Sequence, residues 1–540
     1  MPPNIVWAGK SSTFGFNAAP PRPRSQDTAL VKEHLRGGYD EALSWNRAVE
    51  ALGSPSLKTD VMLHDEEEPT LSSRPIDVES QISLEIAERC FFRGKLLHLM
   101  DLNDVYTSSR LLKPTSATLK YQLLGYKLKP EAAAVSLAAV HEFVTQLGVF
   151  RQPADISAYI RANPMLAHST ILARNSLSQK PVKECRMRSV YNYSMDGNGF
   201  LGMTSYPVEE MHRSLAFSPV LDLMDPLTHS DAIASDVAGL TKMSADVKHC
   251  DHYCQRWMAQ LYCELEAAHF DLSQCDFTAD TLACANVCLL YEGGSSFSNG
   301  ETFYRQFRLL PSGANKVKLI QTFMSLWCTI HAALRVWKRV DYCAVSKFGM
   351  LADNVAVFSK SHDDVVEEEL VRSFDEFNFS FKPVEGNNFV DVSDTSFDFL
   401  GFRITDGAPV LPMNKFFRGW ELPERRLADE TNSAEADMMQ VARACGYSQV
   451  NMGIHPEVSF FCADVVKRYS HENVELPTLV RDGTFRSFDI APGKLWSTTM
   501  LYKRRASSPY RGIFDFPSFL AGDARCTELV RRFVHETRLQ

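Results

Sequence analysis

No stretch of the 540-residue chain strings together 18 apolar residues, and the opening MPPNIVWAGKSSTF lacks a basic start, an apolar core and a small-residue cleavage site. The expectation is therefore a chain that is neither secreted nor membrane-spanning. Regular cysteine spacing is also missing. The thirteen cysteines, an odd number, are scattered in a way that suits free thiols in a reducing compartment rather than a disulfide framework. Positive charge is not in excess either: the formal net charge of -9 argues against a surface that coats nucleic acid everywhere. It leaves room for a basic channel inside an acidic shell. No internal repeat is visible.

What is present is the composition of a folded chain, 45% hydrophobic, 23% charged and 11% aromatic, with ample core to bury. Its length suits several domains or one large assembly of subdomains. Residues 1–28, with NAAPPRPRSQD, read as an extended arm or disordered tail, and HDEEEP at 64–69 as an exposed loop. From 76 to 172 the apolar spacing is mostly helical. The middle third mixes short strands with a long helix over 314–338, where Val317, Ile320, Met324, Trp327, Ile330 and Leu334 form one apolar stripe. Beyond about 412 the pattern is helical again. Basic clusters at Lys180–Arg188, at Arg335, Lys338 and Arg339, and at Lys503–Arg511 are candidates for the channel.

The segment SADVKHCDHYCQRW, 244–257, offers two chemistries. His249, Cys250, His252 and Cys254 suggest a zinc knot, but zinc sites draw spaced ligand pairs from at least two segments, and no second pair lies near in sequence. Alternatively Asp246 ends a strand, and a partner carboxylate is offered by GMLADNVAVF, a hairpin with Asp353 at its tip. Two carboxylates at neighbouring strand ends can hold a pair of divalent ions about 4 Å apart for phosphoryl transfer. Hard oxygen ligands select Mg2+ or Mn2+. Ser312 and Gly313 open the long helix, offering a hydroxyl and backbone N–H groups to a sugar or phosphate. Upstream, KPVKECRMRSVYNYS forms a basic ribbon, and FDFLGFRITDGAPVLP reads as a hairpin turning at Asp406-Gly407.

In that order these elements resemble the palm of viral RNA-dependent RNA polymerases, most of all those of small double-stranded RNA viruses of the partitivirus and picobirnavirus kind. The resemblance covers about 174–412 at the level of motifs. It implies an α+β right hand with an antiparallel palm sheet packed on helices: an N-terminal arm at 1–28, fingers at 29–240 with an insertion at 265–310, palm at 241–264 and 311–412, and thumb at 413–540. By resemblance Asp246 and Asp353 are ligands of two Mg2+ or Mn2+ ions, and Asp251 recognises the incoming ribose. Ser312, Gly313 and Gln321 belong to the substrate-binding helix, while Lys180, Lys183, Arg186 and Arg188 hold the triphosphate. Lys382 is the candidate that protonates leaving pyrophosphate. Implied partners are RNA template and product, nucleoside triphosphates and a capsid protein, in host cytoplasm or the virion interior.

Departures from the family pattern are local. Where Gly-Asp-Asp is usual, this chain has Ala352-Asp353-Asn354, which removes one negative charge and implies weaker Mg2+ binding or more tolerance for Mn2+. Asn354 can still offer an oxygen. Val317 and Gln321 stand where Thr and Asn or Asp are usual; Gln321 could hydrogen-bond Asp251 or a ribose hydroxyl, and Val317 could not. These changes leave open a non-catalytic palm homologue. A reverse transcriptase shares the Ala before its aspartate but places an aromatic residue where Asp251 stands, so Asp251 favours ribonucleotides.

Overall fold

A computed structural model describes residues 5–10, 33–34, 72–108, 110–112, 117–174, 188–215, 217–220, 232–297, 301–305, 310–384, 388–405, 408–410, 455–470 and 512–536, with single positions and short runs between 416 and 451. At its centre is a five-stranded antiparallel sheet. Its order is Asp391–Ser393, Thr241–Asp246, Asn354–Ser359, Val345–Leu351 and Phe514–Asp515. The middle strands are built from VSKFGML and NVAVFS, buried along almost their whole length. Such β-branched and aromatic runs suit strands covered on both faces.

The long helix spans Val317–Val340, three residues later than expected at its start, because Ser312–Lys316 forms a turn instead of the first helical turn. Its end is set by Asp341, which adopts a left-handed φ of 66°. The helix contains an 18-residue window of mean hydropathy 1.2, enough to cross a membrane by length and composition, yet 94% of that window is buried inside the molecule. It is a core helix. The Val78–Phe92 helix packs against it, and the Trp327 indole N–H donates to Ser80 O at 3.2 Å and Ser83 Oγ at 3.0 Å. The Asp363–Glu376 helix lies along it as well.

A second five-stranded sheet is ordered Ile5–Lys10, Glu301–Arg305, Ser295–Phe297, Ser169–Arg174 and Arg188–Tyr193. Part of the expected N-terminal arm is thus an edge strand. The Met195–Ser214 helix follows this sheet and carries a fully buried Asp196, which accepts hydrogen bonds from Lys120 Nζ at 2.6 Å, Tyr121 and Ser136. A buried carboxylate needs such partners to offset its desolvation.

One hydrophobic core runs from Ile82 to Val534, and a smaller cluster gathers around Trp420 and Phe461. Among the described residues of 413–540, Phe514 pairs with Phe348 in the central sheet, and the Pro456–Tyr469 helix belongs to the smaller cluster. In FDFLGFRITDGAP the expected pairing Thr405–Ala408 is present, with residues 406–407 outside the described set. A hairpin not expected precedes it, joining Ser396–Phe399 to Phe402–Thr405 through Leu400 (φ 52°) and Gly401 (φ 81°). Two consecutive positive φ angles make a tight hairpin turn, and leucine in the first position hid it from sequence reading.

Candidate active site

Asp246 is the last residue of its strand and lies opposite Asn354 in the antiparallel register. Beyond it the pairing continues through Val247 N–H, which donates to Asp353 O at 2.8 Å. The tip of the Ala352-Asp353 hairpin is thus fixed beside the end of the Asp246 strand. On the other side, Lys382 N–H donates to Asp246 O at 2.8 Å and Lys248 N–H to Ser380 O at 2.7 Å. This short ladder delivers the Lys382 ammonium to the carboxylates: Nζ lies 2.6 Å from Asp246 Oδ2 and 3.7 Å from Asp353 Oδ2.

The site is half-open, but Asp246 Oδ1 is buried and has no hydrogen-bond partner. Burial pushes the Asp246 carboxyl up to about 6, the Asp353 charge adds to the rise, and Lys382 opposes it. A buried acceptor without a donor, beside a second carboxylate, fits a divalent cation. Among the described residues no group of three or more His, Cys, Asp or Glu side chains is placed to hold a metal. Magnesium is commonly bound by only one or two carboxylates, with water and substrate phosphates supplying the rest. The residues present fit that mode.

Asn354 is engaged on both sides. Its Nδ2 donates to Asp353 Oδ1 at 3.0 Å, and its Oδ1 accepts from Leu400 N–H at 3.1 Å. The oxygen that sequence reading left available as a ligand is therefore occupied, and Asn354 orients Asp353 instead.

Asp251 sits in the short helix Cys250–Tyr253, half-buried, and its carbonyl accepts from Leu310 N–H at 3.3 Å. That contact brings it beside the Ser312-Gly313 turn. Ser312 is exposed at this turn and does not cap the helix, since the N-cap position falls to Lys316. Gly313 approaches the second sheet so closely that a Cβ would lie 2.0 Å from Tyr191 O. Gln321 is buried in the helix, and no hydrogen bond joins it to Asp251. Val317 is buried in the core. Lys180, Lys183 and Arg186 lie outside the described residues, as do Lys503–Arg511; Arg188 opens the Arg188–Tyr193 strand, paired with Arg174. The Arg335, Lys338 and Arg339 cluster is no phosphate channel: these side chains form ion pairs with Glu79, Glu368, Glu369 and Glu376.

Zinc is not supported. Cys250 and Cys254 are buried in the core, and burial pushes both thiols up, away from the thiolate that zinc requires.

Several positioning residues escaped sequence reading. Asn198 Nδ2 donates to Gly313 O at 3.1 Å, while its Oδ1 accepts from Asn315 N–H at 2.8 Å, so one side chain pins both ends of the turn. Lys316 is fully buried and pairs with Glu266 and Thr204. Thr322 and Ser325 reach the Ala352 peptide. A signal for the last pair existed: Thr322, Ser325 and Thr329 make a polar stripe along an otherwise apolar helix.

No protein-family model matches the chain, and neither does any curated protein. Solved structures do. The RNA-dependent RNA polymerase of a human picobirnavirus is similar at a TM-score of 0.53 and 11% identity, over 84% of this chain and 84% of that one. Its insertion-loop deletion mutant is similar at a TM-score of 0.54 and 11% identity, over 84% and 83%. The chain has the fold of a viral RNA-dependent RNA polymerase. At this identity the likeness is one of fold, and in this polymerase fold the Asp246, Asp353 and Lys382 cluster lies at the centre of the antiparallel sheet's exposed end.

Proposed function

We propose that the protein is an RNA-directed RNA polymerase that adds ribonucleoside triphosphates to an RNA 3'-hydroxyl by two-ion nucleotidyl transfer. The observation that carries this reading is the meeting of Asp246, with its buried unpartnered Oδ1, and Asp353 on paired strand ends, bridged by Lys382. Asp246 and Asp353 would hold the two divalent ions, Mg2+ or Mn2+. When bound, the ions activate the attacking hydroxyl and neutralise charge at the leaving pyrophosphate. Lys382, whose Nζ lies at the carboxylates, would give its proton to pyrophosphate. Asp251, beside the Ser312-Gly313 turn, accepts a hydrogen bond from the ribose 2'-hydroxyl. Arg188, with Lys180, Lys183 and Arg186, would take the triphosphate oxygens. The fingers, palm and thumb boundaries implied by the resemblance, a capsid-protein partner and a site of action in host cytoplasm or virion belong to the same proposal.

Primer extension on an RNA template tests it, with ribo- and deoxyribonucleotides, in Mg2+ and in Mn2+. Ribonucleotide incorporation is expected in the wild type and should be lost in Asp353→Ala. Equal activity in the variant overturns the assignment, and a preference for deoxyribonucleotides moves it to a reverse transcriptase.

A further inference from the structure

Asp353 follows a residue in an unusual conformation. Ala352 has φ of 52°, the left-handed region that L-residues with a Cβ avoid, at the first position of a two-residue hairpin where glycine is the ordinary choice. Both polar groups of this residue are gripped by the Val317–Val340 helix. Ala352 N–H donates to Thr322 Oγ1 at 2.9 Å, and Ala352 O accepts from Ser325 Oγ at 2.8 Å. Thr322 is itself oriented, because its hydroxyl donates to Lys318 O at 2.7 Å. Both hydroxyls are buried, so neither bond competes with solvent.

From this geometry we infer that Thr322 and Ser325 are positioning residues that hold the Ala352 peptide in its left-handed conformation and thereby aim the Asp353 carboxylate at Asp246. The grip joins the helix that begins beside the substrate-binding turn to the tip that carries a metal ligand. It makes the chain's Ala-Asp-Asn tip depend on two helix hydroxyls that a glycine-led tip would not need. The inference rests on the proposed two-ion site.

Mn2+ binding, followed by titration calorimetry and by electron paramagnetic resonance, provides a readout separate from turnover. Thr322→Val keeps the shape and removes the hydroxyl; it should weaken Mn2+ binding about tenfold, the usual scale for partners of metal ligands. Thr322→Ser keeps the hydroxyl and should stay near wild type. In an Ala352→Gly background the Thr322→Val loss should shrink, because glycine holds a positive φ unaided. Ser325→Ala is read by the same three comparisons should Thr322→Val not fold, a point that thermal melts decide. Wild-type Mn2+ affinity in Thr322→Val, or an equal loss with and without Ala352→Gly, overturns the inference while leaving the polymerase reading intact. A wild type that binds no Mn2+ removes both.

Discussion

The chemistry of the site turns on a single substituent, the amide of Asn354. It donates to Asp353 and accepts from the Leu400 N–H, so replacing it with a carboxylate removes a donor and sets a like charge beside Asp353. Asn354→Asp should lower the melting temperature of the metal-free protein by about 2 °C, as a loss near 1 kcal/mol does in a large domain. Added Mg2+ should then raise it by more than in the wild type, because the ion meets one more negative charge. Melts with and without Mg2+ check this, and an unchanged metal-induced shift counts against the role given to the amide. That Asp246 and Asp353 meet at neighbouring strand ends was legible in the sequence, because strand alternation and a tight turn are local signals. The partners of Asn354 could not, since Leu400 reaches it only after the chain has folded back through a hairpin with no turn signature.

At the scale of elements, the Ser312–Lys316 turn is shaped by packing more than by its own residues. Gly313 lies against Tyr191 O where no Cβ fits, and Asn198 closes both ends of the turn. Gly313→Ala should therefore cost about 1–3 kcal/mol in urea unfolding, the range for overpacked sites. It should also raise the Michaelis constant for nucleotide as the turn shifts. The long helix and the Ala352-Asp353 hairpin were legible from apolar periodicity and turn composition. The delayed start of that helix was not. Ser312 looks like an N-cap, but the buried Lys316–Glu266 pair and the Asn198 contacts hold Ser312–Lys316 in another conformation. Tertiary contacts overrode a local preference there.

For the whole molecule, buried histidines set the response to acid. Burial, with Arg93 nearby, pushes His212 down to about 3, and burial pushes His168 down to about 4. Unfolded histidine titrates near 6.5, so between that value and the folded ones the unfolded chain takes up protons that the folded chain refuses. Their contribution is intact above about pH 6.5 and is lost as pH falls, on the order of 3 kcal/mol for His212 by pH 4. Asp246, raised to about 6, works in the opposite sense below that pH, as do Glu367 and Asp375, whose carboxyls burial also pushes up. Melting temperature against pH should fall below 6.5, and His212→Gln should flatten the fall; an identical profile in the variant would rule His212 out as its source. The long-range architecture was the least legible part of the chain, because strand partners far apart in sequence leave no local mark. The pairing of Phe514 with Phe348 carries a consequence in time. During synthesis the sheet that aligns Asp246 with Asp353 lacks its last strand until residues beyond 514 leave the ribosome. A nascent chain therefore holds both carboxylates well before it holds the strand that completes their sheet.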